Sequence, residues 1–161
     1  MYSNIIVTVE ATLCTLIKDG RILLQKKAEG RFGEGKWNSP GGKIGPGETP
    51  EGCVVREVYE ETGIQVRSSR LHGVLGHYFG EKMEPDWMVY QFSATDFEGE
   101  PKEGDEGQLK WFLFEEIPYD QMWQDDEYWL PHLLEGKKFR GRFYFNEDGT
   151  ELLRHCISIE N

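Results

Sequence analysis

Between Arg56 and Gly63 the chain reads REVYEETG, which places Glu57, Glu60 and Glu61 within five positions of one another. On a helical wheel at about 100° per residue, Glu61 falls about 40° to one side of Glu57 and Glu60 about 60° to the other. Like charges at this spacing repel. A solvated acidic face usually interleaves Lys or Arg one turn on. Here Arg56 can serve Glu60, but no base follows Glu57 or Glu61 at that distance. A plain solvated face is the commoner use of such a helix. A hard divalent cation explains it better: Mg²⁺ takes carboxylate and water oxygens and completes its shell with substrate phosphates. The chemistry served would be displacement at phosphorus, which needs neutralised phosphate charge and an aligned water.

The elements that must position these acids can be read around them. Thr49-Pro50 is a helix start and Gly63 a stop, so the spacing predicts a helix over 50–62. Val55, Val58, Tyr59 and Thr62 fall on the half facing away from the acids and are the expected core side. Upstream, residues 28–47 carry Gly30, Gly33, Gly35, Gly41, Gly42, Gly45 and Gly47. That stretch is too long for an idle connection and reads as a functional loop, whose amides favour anions and which delivers Glu48 to the helix. Strands are expected over 5–17, 22–25, 71–79, 87–94 and 109–114. A helix opened by an Asp, with Pro131 inside it, is expected over 125–136, followed by a hairpin of 138–145 and 152–159. The fold class is α/β or α+β with a mixed sheet, and all of 1–161 reads as one domain, taken to be monomeric.

Composition narrows the field. The 161 residues carry a net charge of −11, which opposes nucleic-acid polymers unless a basic stripe is segregated. The basic clusters at Lys26-Lys27 and at Lys137-Lys138 with Arg140 and Arg142 are small. No apolar run is long enough to span a bilayer, and the N-terminus has no secretory pattern. Cys14, Cys53 and Cys156 are odd in number and far apart, and are expected to be buried reduced thiols of a cytoplasmic protein.

Gly42, five residues, Glu48, seven residues and then REVYEETGI from Arg56 to Ile64 match in full the signature of the Nudix hydrolases, which the chain therefore resembles. The resemblance implies a mixed sheet between helices, and Mg²⁺- or Mn²⁺-dependent hydrolysis of a nucleoside diphosphate linked to another group. It implies that Glu60 and Glu61 ligate metal, that Glu57 is a ligand or the general base, that the Gly42 carbonyl ligates, and that Arg56 orients the carboxylates.

Outside that signature, the segments 30–49 and 114–145 resemble the MutT-homologue group of the family, the oxidised purine nucleoside triphosphatases that remove 8-oxo-dGTP. That likeness implies a base pocket from Asn38, Phe32, Trp123, Asp125 and Asp126, a further acidic metal or catalytic residue at Glu106, and phosphate contacts from Lys26 and Lys43. The residue types suit the task. An aromatic face stacks a purine, an amide both donates and accepts, and two adjacent carboxyls can share a proton so that one donates while the other accepts. Asp125-Asp126 could equally cap the following helix, and Trp129 reads as core. Trp87 falls near a pocket position where that group carries a flexible side chain. His72, His77, His132 and His155 show no ligand spacing and are taken as structural or surface residues. Rival substrates are ADP-ribose, a dinucleoside polyphosphate, dihydroneopterin triphosphate and capped RNA. A nucleotide sensor without catalysis is a rival of another class, which the complete set of acids disfavours.

Overall fold

The computed structural model describes residues 7–160. Nine strands form one mixed sheet of order β3-β2-β1-β6-β5-β8-β9, with β4 paired to β1 and β7 to β2. The strands are β1 (Val9–Lys18), β2 (Arg21–Lys27), β3 (Trp37–Asn38), β4 (Gly41–Lys43), β5 (Gln65–Phe79), β6 (Trp87–Glu98), β7 (Gly107–Leu113), β8 (Lys138–Phe145) and β9 (Leu152–Glu160); the helices are α1 (Pro50–Thr62) and α2 (Asp126–Leu134). Two pairings are parallel, β1 with β6 and β5 with β8.

Strand alternation sends neighbouring residues to opposite faces. On β2, Ile22 and Leu24 join the core beneath α2, with Trp129, Leu130 and Phe143, while Leu23 joins the core beneath α1, with Val54 and Val58. The sheet therefore lies between the two helices. Each fully buried valine of α1 contributes about 2 kcal/mol of hydrophobic stabilisation.

Helix α1 has the expected bounds for the expected reasons. The Thr49 side chain accepts the Gly52 N–H, Pro50 occupies the first turn, and Gly63 closes the helix at φ 78°, a conformation that glycine adopts without strain. Its core side differs from expectation. Cys53, Val54, Val58, Glu61 and Thr62 are buried, whereas Tyr59 is 57% exposed. The glycine-rich stretch is not all loop, since β3 and β4 lie within it. Strand β5 begins at Gln65, well before the expected 71, and residues 5–6 of the first expected strand lie outside the described residues. Cys14 and Cys53 are buried, but Cys156 is exposed. Among the described residues no helix is long and apolar enough to cross a membrane.

Candidate active site

The opening strands, β4, α1, β5, β6 and the segment before α2 converge on a cavity of about 520 Å³, within the usual range of ligand pockets, about 300–1,000 Å³. Its lining combines a charged set, Lys27, Arg31, Lys43, Glu57, Glu61 and Glu106, with an aromatic and acidic set, Phe32, Phe79, Trp87, Trp123, Asp125 and Asp126, and the two meet where Lys43 Nζ lies 5.8 Å from the Trp87 ring centroid.

In the charged set the repulsion within α1 is relieved mainly by Arg56. Its Nε and Nη2 donate to the two oxygens of Glu48 at 2.7 and 2.8 Å, and its Nη1 donates to Glu57 Oε1 at 2.8 Å and to Glu60 Oε2 at 3.3 Å. This fork is the bidentate geometry that a guanidinium provides and an ammonium cannot. Hydrogen bonds from Arg56, then from the Gly45 N–H, hold the Glu48 carboxyl down to about 2. Glu48 thus buttresses Arg56 and lies outside the cavity lining. Glu60, 56% exposed on its side chain, lies outside it too.

Glu61 is the buried acid, only 7% exposed. It accepts the Gly41 N–H at 2.9 Å and lies 3.7 Å from Lys27 Nζ. Burial, with the nearby charges of Glu57 and Glu106, pushes its carboxyl up to about 7 against the opposing pull of Lys27 and Gly41. Glu106 itself pairs with Arg31 at 3.3 Å. Gly42 permits the arrangement, since a Cβ there would lie 2.5 to 2.7 Å from the atoms of the Glu57 carboxylate.

Among the described residues, no three His, Cys, Asp or Glu side chains come together as a metal cluster, because Glu57 is drawn to Arg56 and Glu61 to Gly41 and Lys27. The residues nonetheless fit Mg²⁺, which needs only one or two protein carboxylates plus waters and substrate phosphates. Glu61 resists ionisation chiefly because it is buried, with a smaller push from Glu57 and Glu106, and a cation bound beside it would favour its charged form.

In the aromatic and acidic set Phe32, itself 66% exposed, lies 5.7 Å from Trp87 and 5.5 Å from Trp123, centroid to centroid. Asn38 lines the cavity and its Oδ1 accepts the Ser39 N–H at 2.9 Å, which leaves its NH₂ to donate to a ligand. Asp125 stands at the N-cap position of α2 without making a side-chain cap. Its Oδ2 instead accepts from His77 Nε2 at 3.0 Å and from Trp129 Nε1 at 2.9 Å. Burial pushes the Asp125 carboxyl up, but the charge and N–H of His77 and the Trp129 indole outweigh it and hold it below its ordinary value. Burial and the Asp125 charge push Asp126 well above its own. One member of the pair is thus an acceptor and the other a donor.

Four assignments change. Glu60, expected to ligate metal, is exposed and outside the cavity lining, because Arg56 draws it to the outer side of α1. Lys26 is exposed and absent from the cavity; strand alternation turns Lys27 inward in its place. His77, read as structural, lines the cavity and holds Asp125. Trp129 is core, as expected, yet also grips Asp125. Adjacent lysines cannot be told apart without the register of β2, and His77 is brought to Asp125 across 48 positions of sequence, so neither contact has a local signal.

The NUDIX domain family model matches residues 8–133. The chain is 43% identical over 143 residues to the oxidized purine nucleoside triphosphate hydrolase of Mus musculus, covering 88% of this chain and 89% of that one. It is 42% identical over 135 residues to the Danio rerio protein of the same name, covering 83% and 85%. The crystal structure of a MutT protein from Bacillus halodurans superposes with a TM-score of 0.82 at 31% identity, covering 92% of this chain and 97% of that one.

Proposed function

Because the chain belongs to the Nudix family, we propose that it is a Mg²⁺-dependent pyrophosphohydrolase, formed by one catalytic domain, that cleaves oxidised purine nucleoside triphosphates of the 8-oxo-dGTP type to the monophosphate and pyrophosphate. The observation that carries this reading is one cavity whose lining combines acids and lysines with aromatic rings and the buried Asp125-Asp126 pair. The substrates named for the mouse and zebrafish relatives point the same way. Such an enzyme clears damaged precursors from the nucleotide pool before a polymerase can use them.

The division of labour follows from the geometry. Lys27 and Lys43 face the cavity and draw the triphosphate in. Glu57 and Glu61, with the Gly42 carbonyl, would hold the cation, and Mn²⁺ fits the same oxygen donors. A divalent cation bound there neutralises phosphate charge and acidifies the attacking water. Arg56 fixes Glu57 through Oε1, so that carboxylate meets the substrate in one orientation. Water adds to a phosphorus, its proton passes to a carboxylate of the cluster, and a P–O bond within the triphosphate breaks. Glu106 stands across the cavity, where Arg31 steadies it, as a further acidic contact. Glu60, outside the lining, tunes the charge around Arg56. At the base end Phe32 and Trp123 stack the ring, while Asn38, Asp125 and Asp126 read its edge.

The test is a panel of 8-oxo-dGTP, dGTP, 2-oxo-dATP, ADP-ribose and a dinucleoside tetraphosphate, scored by kcat/KM from product analysis. An oxidised purine triphosphate at the top supports the reading. ADP-ribose or the tetraphosphate at the top would overturn the base assignment and leave the acidic cluster in place.

A further inference from the structure

The side chain that organises the base end is one that no reading of the sequence put there. His77 sits on β5 with its ring stacked near Phe143 and Phe145, at 5.8 and 6.2 Å between centroids. Among the described residues its buried Nδ1 finds no partner, and its side-chain polar contact is the one from Nε2 to Asp125 Oδ2 at 3.0 Å. The same oxygen takes the Trp129 indole N–H at 2.9 Å. An indole can only donate, so Oδ2 accepts there, and the ionised carboxylate takes a second N–H from His77 Nε2. Two N–H groups on one oxygen favour the ionised form of Asp125. Asp126 lies beside it, 3% exposed, with an Oδ2 that finds no partner. Two carboxyls this close do not both ionise, so the proton belongs to Asp126. The other ionisable groups acting on the pair are Lys36, which lies over the Trp123 ring at 5.3 Å, and Tyr119 on the far side. The β8 side chains beneath His77 are the uncharged Phe143 and Phe145.

We propose that His77 is a specificity-determining positioning residue: it fixes the proton on Asp126, so that the cavity selects purines presenting a carbonyl oxygen beside a ring N–H, the guanine-type edge, over purines presenting an amino group beside a bare ring nitrogen, the adenine-type edge. Ionised Asp125 accepts the ring N–H, and the Asp126 hydroxyl donates to the neighbouring oxygen. The free NH₂ of Asn38 offers a second donor to carbonyl groups. An adenine-type edge sets donor against donor and acceptor against acceptor. It fits only after the proton moves to the Asp125 oxygen facing the base; Oδ2 still accepts from His77 and Trp129 but loses the charge that strengthens both bonds, which costs affinity.

This inference rests on the oxidised-purine reading above, and the two fail differently. Calorimetric binding of 8-oxo-dGMP and 8-oxo-dAMP in metal-free buffer isolates the base end from turnover. The wild type is expected to bind 8-oxo-dGMP at least about tenfold more tightly, a conservative measure of one mismatched hydrogen-bond pair. In His77→Phe, which keeps a stacking ring and loses the N–H, the ratio should fall below about threefold, mainly through tighter binding of 8-oxo-dAMP relative to wild type. In His77→Gln, whose amide restores a donor, the preference should return. A ratio unchanged in a folded His77→Phe, or no recovery in His77→Gln, overturns the role given to His77 while leaving the base pocket intact. Absence of binding by either monophosphate overturns both the role of His77 and the oxidised-purine reading.

Discussion

Replacing Glu61 by Gln should make the metal-free protein more stable at neutral pH while abolishing its activity. Burial and its acidic neighbours raise this carboxyl from the ordinary 4.5 to about 7 in the fold. At about 1.4 kcal/mol per pH unit, ionising it costs about 3 kcal/mol more in the folded chain than in the unfolded one. The side chain is only 7% exposed, so solvent screening removes little of this. The sign follows from the direction of the shift. Below pH 4.5 the acid is protonated in both states and no penalty exists. The penalty grows as pH rises from 4.5 to about 7, and it is complete above. Gln keeps an oxygen for the Gly41 N–H and gives up only the 3.7 Å approach of Lys27. Urea unfolding of wild type and Glu61→Gln in EDTA, from pH 4 to pH 8, reads the difference, because titrations not coupled to Glu61 cancel between the two proteins. The Gln variant should gain about 3 kcal/mol on the wild type across that window. Saturating Mg²⁺ should then restore the wild type by mass action and leave the variant almost unmoved. A difference that stays flat with pH, or a wild type that is the more stable protein at pH 8 without metal, would refute the reasoning.

Other outcomes follow from the same geometry. Gly42→Ala puts a Cβ within 2.5 Å of the Glu57 carboxylate; kcat should fall by about a hundredfold, the scale of a misplaced catalytic group, with the thermal midpoint checked to show that the fold persists. Lys27→Met should raise KM for a triphosphate by roughly tenfold through loss of a charge-assisted contact, whereas Lys26→Met, altering an exposed side chain, should leave steady-state kinetics within about twofold. Phe32→Ala removes a stacking face worth about 1–3 kcal/mol, so KM for the preferred purine should rise by roughly fivefold or more while thermal stability, for so exposed a ring, barely changes.

What the sequence disclosed is what local chemistry determines. Thr49, Pro50 and Gly63 are enough to bound α1, because a cap, a fixed φ and a left-handed stop act within a turn of where they stand. The acids of that helix and the adjacent Asp125-Asp126 pair are visible for the same reason. The residues that escaped are those whose role depends on register or on distant partners. Lys27 and Lys26 exchange places with a one-residue shift of β2. Tyr59 lies on the core side of the wheel, but the wheel does not say how far the sheet extends beneath it. His77 meets Asp125 only because β5 and the start of α2 close on the same cavity. The capping role open to Asp125 gave way to a tertiary one, since His77 and Trp129 supply N–H groups to the same carboxylate oxygen.

The central claim is that Glu57 and Glu61, which Arg56 and Lys27 only partly neutralise, bind a divalent ion that holds a triphosphate tail. Calorimetric titration of Mg²⁺ into the protein carrying a non-hydrolysable purine triphosphate analogue, beside Glu57→Gln and Glu61→Gln, tests it most directly. The account predicts saturable uptake that strengthens with nucleotide present and collapses in both variants. Uptake unaltered by either substitution, or none at all with or without nucleotide, would contradict it.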